Sequence, residues 1–135
     1  MKINAENIWL VDDDEIYQFI TKTYFEFDEP NRNITSFPSG KAAIENLQHT
    51  NESSTLPDII LLDINMPVMN GWDFMDEYER IKTTLKKHPS IFLVTSSENQ
   101  NDKTKANNYE DIKDYIIKPV DDHKIKSIIK RASEV

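Results

Sequence analysis

Pro57-Asp58-Ile59-Ile60-Leu61-Leu62-Asp63-Ile64-Asn65-Met66-Pro67-Val68-Met69-Asn70-Gly71 is the stretch that decides how this chain folds. Four bulky apolar residues, Ile59 to Leu62, run without interruption into a single carboxylate. A short continuous apolar run bounded by turn formers reads as a strand buried on both faces. Asp63 therefore lies at the carboxyl end of a central strand, where open α/β sheets bind ligands. Pro67 and Gly71 force a turn ahead of the next helix.

The same pattern repeats on either side. Upstream, Ile8-Trp9-Leu10-Val11 reads as a first strand and ends in Asp12-Asp13-Asp14-Glu15. Asp14 can cap a helix over Glu15 to Phe27, with Ile16, Phe19, Ile20 and Thr23 on one face at helical spacing. Asp28-Glu29-Pro30-Asn31 breaks that helix, and Asn33 to Phe37 makes a short, half-polar edge strand. Pro38-Ser39-Gly40 opens a helix from Lys41 to His49 with Ala42, Ala43 and Leu47 inward. Thr50 to Leu56 reads as a flexible polar loop. Downstream of Gly71, Trp72 to Leu85 is an amphipathic helix with Phe74, Met75, Tyr78 and Ile81 inward, stopped at His88-Pro89. Ile91 to Val94 is a fourth strand ending in Thr95-Ser96-Ser97. Asn99 to Asn108 makes a short, weak helix. Asp114 to Ile117 is a fifth strand ending in Lys118-Pro119, and Asp121 to Ala132 a last helix with Ile125, Ile128 and Ile129 inward. Strands alternating with helices mean parallel strands, right-handed crossovers and helices on both faces. No linker or internal repeat interrupts residues 1–135, so the expectation is one domain with no output domain attached.

Composition narrows the function. The formal net charge is −8 and the sequence pI about 4.8, which disfavours nucleic acid and favours a cation or a basic partner. There is no cysteine, so disulfides and thiolate chemistry are excluded. With two glycines, a Gly-rich phosphate cradle cannot be built. No apolar run reaches the length of a membrane span, and the N-terminus lacks a signal-peptide core, so a cytoplasmic protein is expected.

Four strands end in chemically able groups: Asp12/Asp13, Asp63, Thr95 and Lys118. In a parallel sheet these ends converge on one edge. Three carboxylates held close resist joint ionisation. A hard divalent cation such as Mg²⁺ and a lysine would offset that cost. A carboxylate there can act as a nucleophile toward phosphorus, with Thr95 and Lys118 as donors to phosphoryl oxygens.

Val11-Asp12-Asp13, Asp63-Ile64-Asn65-Met66-Pro67 with Gly71, Val94-Thr95-Ser96 and Tyr115-Ile116-Ile117-Lys118-Pro119 together resemble a CheY-like response-regulator receiver domain, over essentially the whole chain. The resemblance implies a flavodoxin-like (βα)5 sheet of order 2-1-3-4-5. It implies Asp63 as phosphoacceptor from a histidine kinase or phosphotransfer histidine. It implies Mg²⁺ held by Asp13, Asp12, Asp63 and the backbone carbonyl of Asn65. Thr95 and Lys118 would bind the phosphoryl group, and Thr95 and Tyr115 would act as the switch. The face made by the fourth helix, fifth strand and fifth helix would meet a downstream protein or a second copy. Asp111-Ile112 departs from the Gly-Ala often found before the fifth strand, and Ser96 is polar where a small residue is usual.

Taken singly, each motif has a plainer reading: a helix start, a strand-end turn, an exposed turn. Tyr115 alone is an ordinary half-buried strand residue. His49, His88 and His123 read as surface, Trp9 and Trp72 as packing, and Lys82, Lys86 and Lys87 as the wet face of a helix. Among rival functions, an aspartyl-phosphate phosphohydrolase needs an acid two residues after its nucleophile, and Asn65 stands there. An FMN-binding protein needs a phosphate loop where Asp12-Asp13-Asp14 would repel phosphate. A phosphorylation-independent adaptor would have no need of the complete residue set.

Overall fold

Ile59–Asp63 forms β3, buried along its whole length, and the sheet builds outward from it. The computed structural model describes residues 7–50, 55–96 and 99–133. The strands are β1 Asn7–Val11, β2 Asn33–Phe37, β3, β4 Ser90–Thr95 and β5 Ile112–Ile117. All neighbours are parallel, in the order β2-β1-β3-β4-β5. The helices are α1 Glu15–Asp28, α2 Gly40–His49, α3 Gly71–Ile81, α4 Gln100–Ala106 and α5 Asp122–Ala132, with a 3₁₀ turn at Lys82–Thr84 after α3. This is the doubly wound parallel sheet that the alternation predicts, in the flavodoxin-like order that the resemblance implies.

Each inner strand buries two faces because successive side chains point opposite ways. Ile8, Leu10, Ile59, Leu61, Phe92 and Val94 pack with Phe25 of α1 and Ile125 and Ile128 of α5. Trp9, Val11, Ile60, Leu62, Ile91 and Leu93 pack with Leu47 of α2, Phe74, Met75 and Tyr78 of α3, and Ala106 of α4. Full burial of an aliphatic or aromatic side chain contributes roughly 1.5–3 kcal/mol, so these two layers dominate the stability. Side-chain caps start the helices where the sequence places them. Asp14 Oδ1 accepts from Tyr17 N at 3.1 Å, and Asn70 and Asp73 form a reciprocal capping box at 2.9 and 3.1 Å.

Trp9 and Trp72 are core residues, His49, His88 and His123 are exposed, and Ile129 and Ala42 are only partly buried. The first helix differs most from the sequence pattern. Its apolar face points to solvent: Ile16 is 75 %, Phe19 70 % and Phe27 86 % exposed, while Gln18, Thr21 and Phe25 are buried. The cause is the Gln18 amide, which donates to Asp12 O at 2.6 Å and Phe37 O at 2.7 Å and reaches Leu10 O at 3.3 Å. A buried carbonyl without a donor costs about 1–3 kcal/mol, so the polar face seats against the sheet. Two smaller differences follow the same logic of satisfied polar groups and filled space. Lys82 and Lys87 are ion-paired rather than simply wet: Lys82 lies 2.9 Å from Asp111 and Lys87 2.9 Å from Asp58. Residues 51–54 of the polar loop lie outside the described residues, but Leu56 at its end is fully buried.

Candidate functional site

The carboxyl ends of β1 and β3 are adjacent, with Val11 in register with Leu62. One residue further along each strand come Asp12 and Asp63. Each of Asp12, Asp13 and Asp63 offers a carboxylate oxygen, and the three oxygens lie within 4.8 Å of one another. Asp12 and Asp63 are buried, each with 6 % of its surface exposed, while Asp13 opens to solvent. Lys118, after β5, brings its ammonium 2.9 Å from Asp12 Oδ2 and 3.8 Å from Asp63 Oδ1. The backbone holds these groups in place. Asp14 N donates to Asp12 Oδ1 at 2.9 Å, Asn65 N to Asp63 Oδ1 at 3.4 Å, and Lys118 N to Thr95 O at 2.8 Å.

Electrostatics follow from burial and crowding. Burial, with the nearby Asp12 charge, pushes the Asp63 carboxyl up to about 6, against the opposing pull of Lys118. For Lys118, burial alone would lower the pKa. The Asp12 hydrogen bond and the Asp12 and Asp63 charges outweigh it, and the net shift is upward. Among the described residues, three acids with one ammonium leave the pocket short of positive charge. An all-oxygen donor set of this kind suits a hard divalent cation such as Mg²⁺ that keeps some of its waters.

The loop after Asp63 is tied down at Gly71, whose N donates to Ile64 O at 2.8 Å. A Cβ on Gly71 would lie 2.8 Å from Ile64 Cα and 2.9 Å from Asp63 O. Only glycine lets α3 begin this close to β3. Val68 in the same loop has φ 69° and is fully exposed. Thr95 ends β4 fully buried, one residue past Val94, the register partner of Asp63. Tyr115 pairs with Leu93 and is half-buried, with Lys103 Nζ 5.9 Å from its ring centre. Register therefore puts Thr95 and Tyr115 on the same sheet face.

Sequence reasoning did not single out Tyr17 or Gln18. Tyr17 contributes a ring whose centre is 4.2 Å from Lys118 Nζ and a hydroxyl that accepts from Val120 N at 2.9 Å. Gln18 ties together the ends of β1 and β2 beside Asp12. The available signal was position: both lie on the first turn and a half of the helix that leaves the acidic cluster. Their partners are remote in sequence, so local pattern could not name them.

A family model for the response regulator receiver domain matches residues 8–130. The chain belongs to the response regulator receiver domain family. The receiver is 34% identical over 92 residues to the response regulator SaeR of Staphylococcus aureus (strain USA300), covering 68% of this chain and 36% of that protein. It thus spans little more than a third of the length of the curated relatives it matches. A two-component response regulator from Cytophaga hutchinsonii superposes with a TM-score of 0.86 at 28% identity, covering 96% of this chain and 98% of that one. One from Legionella pneumophila gives 0.79 at 26%, covering 93% and 96%. The chemotaxis protein CheY4 of Vibrio cholerae shares the fold, at 18% identity and a TM-score of 0.76 over 96% of this chain and 99% of that one. Receiver domains are signalling domains rather than ordinary enzymes. As a family they are phosphorylated on an aspartate in two-component signalling, work with histidine kinases or phosphotransfer proteins, and bind Mg²⁺ through an acidic pocket. Among the described residues no helix is long and apolar enough to cross a membrane.

Proposed function

We propose that this receiver takes a phosphoryl group onto Asp63 from the phosphohistidine of a kinase or phosphotransfer protein, and so changes a surface read by a second protein. The observation that carries this reading is the meeting of Asp12, Asp13, Asp63 and Lys118 in one pocket at the carboxyl edge of the sheet. Asp13, Asp12, Asp63 and the Asn65 carbonyl are the groups that would hold Mg²⁺. When bound, the ion supplies positive charge to the transferring group and makes the ionised form of Asp63 easier to hold.

The chain's own residues do the rest. An Asp63 carboxylate oxygen forms a bond to phosphorus as the phosphorus–nitrogen bond of the donor breaks. The electron pair of that bond stays on the nitrogen, and the donor leaves as neutral imidazole, its proton on the other ring nitrogen. Lys118 and Thr95 are assigned to the phosphoryl oxygens, where the ammonium offsets developing charge. Thr95 and Tyr115, sharing one sheet face, are the pair through which the change would reach the α4-β5-α5 surface, the contact assigned to a downstream protein or a second copy. The solvent-facing stripe of Ile16, Phe19, Ile20 and Phe27 on α1 supports docking of a protein donor beside the acceptor, since unpartnered apolar side chains of this extent mark interaction sites. A cytoplasmic setting goes with this role.

The phosphohydrolase alternative is weaker because exposed Asn65 stands where a proton-transferring acid is needed. The test uses wild type and Asp63→Asn with Mg²⁺ and a small phosphodonor or beryllofluoride. The wild type should gain phosphate by mass with the phosphodonor and change its Trp or Tyr fluorescence with either reagent, and Asp63→Asn should do neither. An unchanged response in Asp63→Asn rejects Asp63 as the acceptor.

A further inference from the structure

Among the described residues the Lys118 ammonium meets two carboxylates and one group that is not a charge. Asp12 Oδ2 lies at 2.9 Å, Asp63 Oδ1 at 3.8 Å and the centre of the Tyr17 ring at 4.2 Å. The Tyr17 hydroxyl then accepts from Val120 N at 2.9 Å, two residues beyond Lys118. One side chain from the first turn of α1 therefore grips the turn after β5 at two points, on both sides of Pro119. The same ring, with Asp12 and Asp63, lines a small, mostly apolar cavity under the acceptor that also takes in Gln18 and Val120.

We propose that Tyr17 is a positioning residue for phosphoryl transfer, its ring face holding the Lys118 ammonium beside Asp63. This rests on the assignment of Lys118 to the phosphoryl group. Asp12 alone would draw the ammonium away from the acceptor, because Coulomb attraction favours the nearer, hydrogen-bonded carboxylate. An aromatic face carries negative electrostatic potential and attracts a cation within about 6 Å, more strongly where water is excluded. The ring supplies that attraction without a formal charge, so it adds no repulsion toward an incoming phosphoryl group. A carboxylate in the same place would hold the lysine but would also oppose the substrate. The hydroxyl anchors the ring, because its position is set by the Val120 backbone rather than by packing alone.

The test compares Tyr17→Phe, which keeps the ring, with Tyr17→Leu, which keeps apolar bulk but loses the π face. Phosphoramidate with Mg²⁺ is the donor, so the rate is read without protein docking. Loss of the ring should slow phosphorylation roughly three- to thirtyfold, the range that corresponds to a cation–π contact, while Tyr17→Phe keeps most of the wild-type rate. In a Lys118→Ala background, Tyr17→Leu should cost nothing more, whereas a merely structural role would still cost. The Lys118 ε-methylene protons of the wild type should also resonate upfield from ring current, and Tyr17→Leu should return them to ordinary values. A wild-type rate in Tyr17→Leu, an equal loss in Tyr17→Phe, or a further loss in the double mutant overturns the proposal. If Tyr17→Leu does not fold, Tyr17→Met takes its place, and absence of the ring-current shift in the wild type is by itself sufficient to overturn it. If Lys118→Ala phosphorylates at the wild-type rate, the assignment of Lys118 fails instead. If Lys118→Ala is slow and Tyr17→Leu is not, only the role of Tyr17 fails.

Discussion

Replacing Asp63 by asparagine should make the metal-free protein more stable at neutral and mildly alkaline pH, although it removes the proposed acceptor. The Asp63 carboxyl is raised from 3.8 to about 6 by burial first and by the Asp12 charge second. In the unfolded chain it returns to the ordinary value. Between these pH values the folded state binds more proton than the unfolded state, so the stability this group contributes is full below pH 3.8 and is lost as pH rises through 6. At 1.36 kcal/mol per pH unit, the loss is at most about 3 kcal/mol. Asparagine cannot ionise, so it has no such loss. Urea unfolding in EDTA, followed by fluorescence of buried Trp9 and Trp72, should show Asp63→Asn gaining about 1–3 kcal/mol on wild type between pH 5 and pH 8. Added Mg²⁺ should restore much of this in wild type, because a ligand bound only by the folded state stabilises it. Parallel pH profiles for the two proteins, or a less stable Asp63→Asn at pH 8, would refute the reasoning that buried like charge is stored at Asp63.

Other outcomes follow from the same geometry. Lys118→Ala removes the ammonium 2.9 Å from Asp12 and 3.8 Å from Asp63. It should still allow some phosphorylation but lose most of the fluorescence response to beryllofluoride, and a normal response would reject its role. Gly71→Ala drives a Cβ to within 2.8 Å of Ile64 Cα. It should cost about 1–3 kcal/mol in urea unfolding and slow phosphorylation, since overpacked backbone must shift beside Asp63; wild-type stability would show that the loop yields freely. Phe19→Ser and Phe27→Ser change side chains that are 70 % and 86 % exposed. Each should alter stability by no more than about 0.5 kcal/mol yet slow transfer from a protein phosphodonor, and equal transfer rates would remove α1 from the docking surface.

Much of the fold was legible because the apolar runs Ile8–Val11, Ile59–Leu62 and Ile91–Val94 are short, continuous and bounded by turn formers. The helix starts were equally local: Asp14, Asn70 with Asp73, and Asp121 cap backbone groups three residues away. Helix α1 misleads for a physical reason. Its buried positions 18, 21 and 25 include one apolar side chain, and the buried Gln18 amide serves carbonyls of β1 and β2 that local pattern cannot see. Asp111, an unexpected residue before β5, has a plain use in the ion pair with Lys82 of the 3₁₀ turn, 29 positions earlier.

The order of residues by itself determined that five strands run parallel and that acids, a threonine and a lysine stand at their carboxyl ends, because chain direction and alternation leave no other edge for them. Tertiary structure alone decided which face of α1 meets water, how strongly the Asp63 carboxyl resists ionisation, and that Tyr17 lies against Lys118. Those outcomes depend on distances between residues up to 106 positions apart, and such distances exist only once the sheet has formed.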